Sequence, residues 1–206
     1  MVALPVYGQS FSVMARTKDF DEDEVLTKAV HLFWLKGYNG TSMQDLVDGL
    51  GISRSSLYDT YGDKHTLFLK SLGNYKKAVS AKMEAIVAEA NSAKDAVKGL
   101  LEFIIGELLS DQEHKGCFLV NAAVEVAPHD QEVNSIICQS DREVEQYFYH
   151  TIKNGQEKGE IINKQDPRAL AGFILNNIKG VRVTAKSVND KKLFNDIINL
   201  TMSVLN

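Results

Sequence analysis

Between Thr41 and Lys64 the chain reads TSMQDLVDGLGISRSSLYDTYGDK, and few folds accommodate that spacing. Met43, Leu46, Val47 and Leu50 recur at i, i+3, i+4 and i+7, so they line one face of a short amphipathic helix that either Thr41 or Ser42 can cap. Gly51 ends that helix, because glycine tolerates the left-handed backbone of a tight turn. Ile52 then plugs the angle, and Ser53 is suited to capping a second helix, in which Leu57 faces inward and Arg54, Ser55, Ser56, Tyr58 and Asp59 face outward. The arrangement is a helix-turn-helix whose second helix presents a groove-reading surface.

The rest of the chain is periodic in the same way. Only three prolines interrupt 206 residues of 44% hydrophobic content, enough for a substantial core, and no useful length shows strand-like alternation. An all-α fold is expected. A first helix is predicted from Asp19 to Lys36, with Asp21, Glu22, Asp23 and Glu24 in its first turn and Gly37 at its end. After the helix pair, Gly62 and Asp63 introduce a long fourth helix to about Ala90. Further helices are predicted over Ala93–Leu109, Cys117–Val126, Gln131–Lys158, Pro167–Ser187 and Asp190–Leu205. Apolar or small residues cover more than one face of the last two: a face left after intrachain packing needs a partner, and otherwise the pair completes the chain's own core.

Ala29, Leu32, Phe33, Gly37 and Tyr38 upstream, and Tyr58, Tyr61, Lys64 and Leu67 downstream, extend the pattern from about Asp21 to Leu72. This segment resembles the DNA-binding domain of TetR-type regulators, with Tyr61 where Phe is usual and Leu46 where Ile is usual. The resemblance implies a DNA-binding head over residues 15–63 and a C-terminal effector-binding and dimerisation domain over 64–206. It also implies a homodimer paired through the last two helices, with Gly180 allowing close approach. Residues 1–14 are expected to be a poorly ordered tail or a mis-assigned start, since Met14-Ala-Arg-Thr-Lys resembles a natural beginning. At positions matching the family's pattern, Thr41, Ser42, Tyr58 and Lys64 would contact phosphate. Arg54, Ser55 and Ser56 would meet base edges, with Asp59 and Thr60 as weaker candidates.

The net charge of -4 counts against a non-specific nucleic-acid coat but not against a local cationic face, to which Arg16, Lys18, Arg54 and Lys64 are the candidates. Two cysteines are too few for a disulfide scaffold, so a reducing cytoplasm is the expected setting. No apolar run is long enough to span a bilayer. No phosphate loop, nucleophile elbow or compact ligand cluster is present, and neither catalysis nor a metal or other cofactor is expected.

The implied effector is a small molecule, and the operator would be a near-palindromic DNA duplex. Candidate effector-lining residues are Phe103, Ile104, Glu107, Leu119, Ala123, Tyr147, Phe148, Phe173 and Asn177, a mixture of apolar surface and a few polar groups. Cys117 is a candidate oxidant or electrophile sensor if a nearby cation or helix N-terminus activates it. Glu125, in the apolar run CFLVNAAVEV, fits a salt-bridged or hydrogen-bonded structural role better than a cationic ligand site. The expected protein is thus an effector-released dimeric repressor. The alternatives are an architectural or cell-cycle factor with the same head but no small-molecule switch, and a helical enzyme using the C-terminal cavity.

Overall fold

A computed structural model describes residues 20–206. Residues 1–14, Arg16, Lys18 and the expected helix start at Asp19 lie outside them. The described residues form nine helices and no strand: α1 Glu22–Lys36, α2 Met43–Leu50, α3 Arg54–Tyr61, α4 Lys64–Glu89, α5 Ala93–Ser110, α6 Phe118–Glu125, α7 Gln131–Glu157, α8 Pro167–Thr184 and α9 Lys191–Ser203.

Local chemistry accounts for the starts. Asp21, Ser42, Ser53, Asp63, Ser92, Asp130, Asp166 and Asp190 each accept backbone N–H groups that the first turn of a helix leaves without partners. Ser42, rather than Thr41, caps α2, in a reciprocal box with Asp45. Cys117 precedes α6 without a side-chain cap. Gly51 takes φ 71°, the left-handed conformation the turn between α2 and α3 demands. α8 ends at Thr184, short of the predicted Ser187, because the amides of Lys186 and Ser187 turn back onto Val183 and Thr184.

Two apolar clusters hold the molecule. One joins α1, α2, α3 and the first half of α4 to α6 and the start of α7, through Phe33, Leu46, Leu57, Phe68, Phe118 and Val133. Its centre is aromatic: Phe68 lies 5.1 Å from Phe33, 4.7 Å from Tyr38 and 5.7 Å from Phe118, ring centre to ring centre. The second cluster packs α5, α7, α8 and α9 around Leu100, Phe148, Ile174 and Phe194. α4 serves both, giving Leu67 and Leu72 to the first and Met83 to the second. The head is therefore packed directly on the body.

Candidate nucleic-acid interface and the cavity behind it

α3 presents its first turn outward. Arg54 and Ser55 are exposed, and among the described residues Arg54 makes no ion pair or side-chain hydrogen bond. Ser53 Oγ accepts the Ser56 amide at 3.1 Å and lies 2.9 Å from the hydroxyls of both Ser55 and Ser56. These serines are thus pre-ordered around the helix start. Tyr58 is 44% exposed, one turn further along, beside exposed Asp59 and half-buried Thr60. Leu57, fully buried, fixes the helix roll that turns Arg54, Ser55 and Tyr58 out.

The flanking candidates are placed differently. Thr41 is buried, and its hydroxyl donates to the Gly37 carbonyl at 2.6 Å, so it closes the turn after α1 instead of facing outward. Ser42 is exposed, with its hydroxyl donated to Asp45 at 2.6 Å. Hydrogen bonds from Lys36, then from Ser42, hold the Asp45 carboxyl well below the usual range. Lys64 reaches back over the Tyr38 ring, 4.3 Å from its centre, and donates to the Thr41 carbonyl at 2.7 Å. Lys64 and Thr41 are therefore joined into a brace at the foot of the reader, and Ser42 beside them is held by Asp45.

Behind the head lies a cavity of about 290 Å³. α1 supplies His31 and Trp34, α4 Tyr75 and Val79, α5 Phe103, Ile104, Glu107, Leu108 and Ser110, the α5–α6 loop Asp111, Lys115, Gly116 and Cys117, and α8 Arg182. Three of the predicted effector-lining residues, Phe103, Ile104 and Glu107, thus meet each other and Cys117. The others do not join them. Leu119 and Ala123 line an outer groove between α6, α7 and α8. Phe148 is fully buried in the body core. Phe173 is 48% exposed on α8. Tyr147 donates to Glu84 at 2.7 Å and, through burial and that carboxylate, is pushed up to about 12. Asn177 donates to Thr201 at 3.4 Å, beside a void of only about 10 Å³.

Cys117 is 3% exposed, with the Tyr75 hydroxyl 3.8 Å from its sulfur. Burial pushes the Tyr75 phenol well above its usual value, the adjacent thiol adds to this, and the Arg182 charge opposes it. Burial acts to raise Asp111, but the Gly116 amide and Lys115 outweigh it and hold that carboxyl low.

Sequence reasoning missed the contacts that tie head to body. Trp34 Nε1 donates to the Gly116 carbonyl at 3.1 Å, and in the first turn of α4, the helix that leads out of the head, His65 Nε2 lies 2.7 Å from Asp130. Glu125 takes the structural role expected of it, accepting the amides of Tyr38 at 3.1 Å and Asn39 at 2.7 Å. Its position in an apolar run was the only signal in the sequence; the pairing spans 86 residues and left no local pattern.

A compact three-helix head presenting the start of its third helix, seated on a larger helical body, defines a helix-turn-helix DNA-binding protein. Residues 25–70 match the family model described as bacterial regulatory proteins, tetR family, and residues 93–200 match the tetracyclin repressor-like C-terminal domain. The chain belongs to the TetR family of bacterial transcriptional regulators. It is 33% identical to the uncharacterised HTH-type transcriptional regulator YezE of Bacillus subtilis (strain 168), over 93% of this chain and all of that one. It is 30% identical to the HTH-type transcriptional repressor ComR of Escherichia coli (strain K12), over 83% of this chain and 82% of that one. Among solved structures it is similar to a cysteine-substituted form of the TetR family transcriptional regulator CifR complexed with 26-base-pair operator DNA. The TM-score there is 0.84 at 26% identity, covering 93% of this chain and 100% of that one. No helix among the described residues is long and apolar enough to cross a membrane.

Proposed function

We propose that this regulator is a cytoplasmic, dimeric, sequence-specific repressor that a small-molecule effector releases from its operator. The observation carrying this reading is the outward first turn of α3, where Arg54 is exposed without a partner among the described residues, beside pre-ordered Ser55 and Ser56. A guanidinium there can bind guanine O6 and N7 together. Ser42, Tyr58, Lys64 and the brace through Thr41 position the head on phosphate. The repressor name carried by ComR supports repression.

The switch follows from the cavity. Its walls include His31 and Trp34 of the head as well as five residues of α5, so an occupant touches both parts. An occupant that displaces α1 or α4 tilts both readers of a dimer away from half-sites about 34 to 36 Å apart. A coupling of about 1 to 3 kcal/mol then changes affinity roughly 5 to 150-fold. In this reading residues 15–63 are the head and 64–206 the effector and dimer body. The two copies pair through α8 and α9, whose exposed Phe173, Val183, Leu193 and Leu200 form the apolar surface for that contact.

A second reading rests on the placement of Cys117 in the same cavity wall. A small electrophile entering there meets the thiol, and covalent modification would be the signal. Intact-mass analysis of the released protein separates the two, because a reversible effector leaves the mass unchanged.

The test of the main reading is selection of bound duplexes from a random library at near-physiological salt, repeated with Arg54→Ala. An enriched inverted repeat that Arg54→Ala loses upholds it. A folded dimer that enriches nothing overturns it. A thermal-shift panel of small molecules then tests the switch, since a ligand of the native state raises stability. An operator binder that no compound stabilises is an architectural factor instead.

A further inference from the structure

We propose that the cavity between head and body is the site of a small aromatic carboxylate, paired with Arg182 and stacked among Trp34, Tyr75 and Phe103. The inference rests on the effector-released reading and adds the place and chemical class of the effector.

One charge in this cavity is unmatched. Two carboxylates line the cavity, and both are already answered: Asp111 by Lys115 at 3.2 Å and by the Gly116 amide at 2.9 Å, Glu107 by Lys82 at 3.3 Å. Lys115 is further engaged by Glu113, which also holds His31 at 3.2 Å. Arg182 differs. It lines the cavity and is only partly exposed, yet among the described residues it makes no ion pair and no side-chain hydrogen bond. Its charge is felt by the Tyr75 phenol of the aromatic wall, and it also borders the outer groove between α6, α7 and α8. A guanidinium in a partly enclosed, apolar-walled site is incompletely solvated, and an anion entering that site gains more than it would in water.

The walls set the rest of the ligand. Trp34 and Tyr75 lie 4.9 Å apart at an interplanar angle of 70°, and Phe103 of α5 lines the same cavity. Such edge-to-face surfaces favour a planar ring. A volume of about 290 Å³ suits one or two rings, near the lower end of ordinary ligand sites.

The site also sits where occupancy can be transmitted. Trp34 belongs to α1 and is anchored to the Gly116 carbonyl, in a loop whose His114 and Gly116 both adopt positive φ. A ring wedged against Trp34 strains that anchor and moves the head.

Trp34 is the chain's single tryptophan, so its fluorescence reports the cavity directly. The experiment titrates the purified full chain with benzoate and 2-naphthoate, and with benzyl alcohol and 2-naphthylmethanol as neutral counterparts. Trp34 emission, thermal midpoint and operator release are read in each case. Expected are saturable emission changes with the carboxylates, at least tenfold tighter than with the alcohols. Arg182→Gln is expected to weaken the carboxylates at least tenfold and leave the alcohols where they were, and Arg182→Lys to recover part of the loss. Equal binding of acids and alcohols, no saturable binding of either acid, or an acid affinity indifferent to Arg182→Gln overturns the proposal. The wider reading fails separately. If a chemically unrelated compound releases operator, effector control stands and the assignment falls; if no compound in a broad panel does, effector control itself falls.

Discussion

The carboxylate of Glu125, the last residue of α6, holds the backbone amide of Asn39 at 2.7 Å, and its second oxygen holds that of Tyr38 at 3.1 Å. The turn between α1 and α2 is thereby fixed by a residue of the body. A Cβ built on Gly37 would lie 2.7 Å from the same carboxylate, so the turn approaches as closely as glycine permits. Hydrogen bonds to a charged partner contribute about 1.5 to 3 kcal/mol when well sheltered and less when half exposed. Glu125→Ala is therefore expected to cost about 1 to 3 kcal/mol. Thermal unfolding should show a drop of roughly 2 to 4 °C per kcal/mol for a chain this long. Glu125→Gln, which keeps one acceptor oxygen, should lose less. Equal midpoints for the wild type and Glu125→Ala would show that the contact contributes nothing.

Arg54 and Lys64 should separate cleanly. Arg54 is exposed without a partner among the described residues, so Arg54→Ala should leave stability within about 0.5 kcal/mol. It should still cost about 1 to 3 kcal/mol of operator affinity if the side chain reads guanine. Lys64 holds the Thr41 carbonyl and covers the Tyr38 ring, so Lys64→Ala should lower the melting temperature as well as the affinity. Paired measurements of unfolding and operator binding decide it; a fully stable Lys64→Ala would dissolve the brace.

The head and the helix plan were legible because local signals determine them. Ser42, Gly51, Ser53 and Asp63 each act within four residues, and Leu46, Leu50 and Leu57 declare their face by spacing alone. The cavity was legible only in part. Periodicity identifies Phe148 and Phe103 equally as apolar, yet one is fully buried in the core and the other lines the cavity, because the difference depends on which helices cross nearby. Thr41 shows the same limit: the family's spacing marks it as a candidate phosphate contact, but only the fold shows its hydroxyl donated to a carbonyl four residues back. Trp34 to Gly116 spans 82 residues, and nothing in either segment announces the other.

Gly155 should resist substitution for steric reasons. A Cβ there would lie 2.6 Å from that of Ala93 and 2.7 Å from the Ile161 side chain, where the start of α5 crosses the end of α7. Ala93 and Ile161 are both buried, so neither has room to retreat. Gly155→Ala gains helix propensity of about 1 kcal/mol. Overpacking of about 1 to 3 kcal/mol should outweigh it and leave a net loss in chemical denaturation. A stabilised variant would mean the crossing relaxes at little cost.

Acid should loosen the helix starts that carry the head. Asp63 is held below its ordinary value chiefly by the Thr66 amide, and Asp130 chiefly by the Val133 amide, with His65 adding to it. A carboxylate depressed in the folded state contributes stability that is complete above its unfolded pKa of about 3.9 and is lost as pH falls through the folded value. Melting temperature should thus hold from pH 6 to about 4 and fall below that. Asp63→Asn and Asp130→Asn together keep acceptors at both caps but remove the titration. The double variant should show a shallower fall, not a flat line, because Asp45, Asp111 and Glu113 are depressed too. An unchanged slope would place the acid sensitivity elsewhere.

Leu200, 69% exposed on α9, and Phe173, 48% exposed on α8, are costly to leave in water on a lone chain. Burying a side chain of either kind contributes about 1.5 to 3 kcal/mol relative to exposure. Both should be covered if α8 and α9 form the contact between two copies. Leu200→Glu puts a charge at that seam, next to its own copy or to apolar neighbours, while the separated chain has water to solvate it. The variant should sediment as a monomer with its helical content intact, and its operator affinity should fall steeply, since a single head cannot span two half-sites. A Leu200→Glu protein that remains dimeric would move the contact off this face. One that is monomeric yet binds operator at full affinity would show that each head reads its half-site alone.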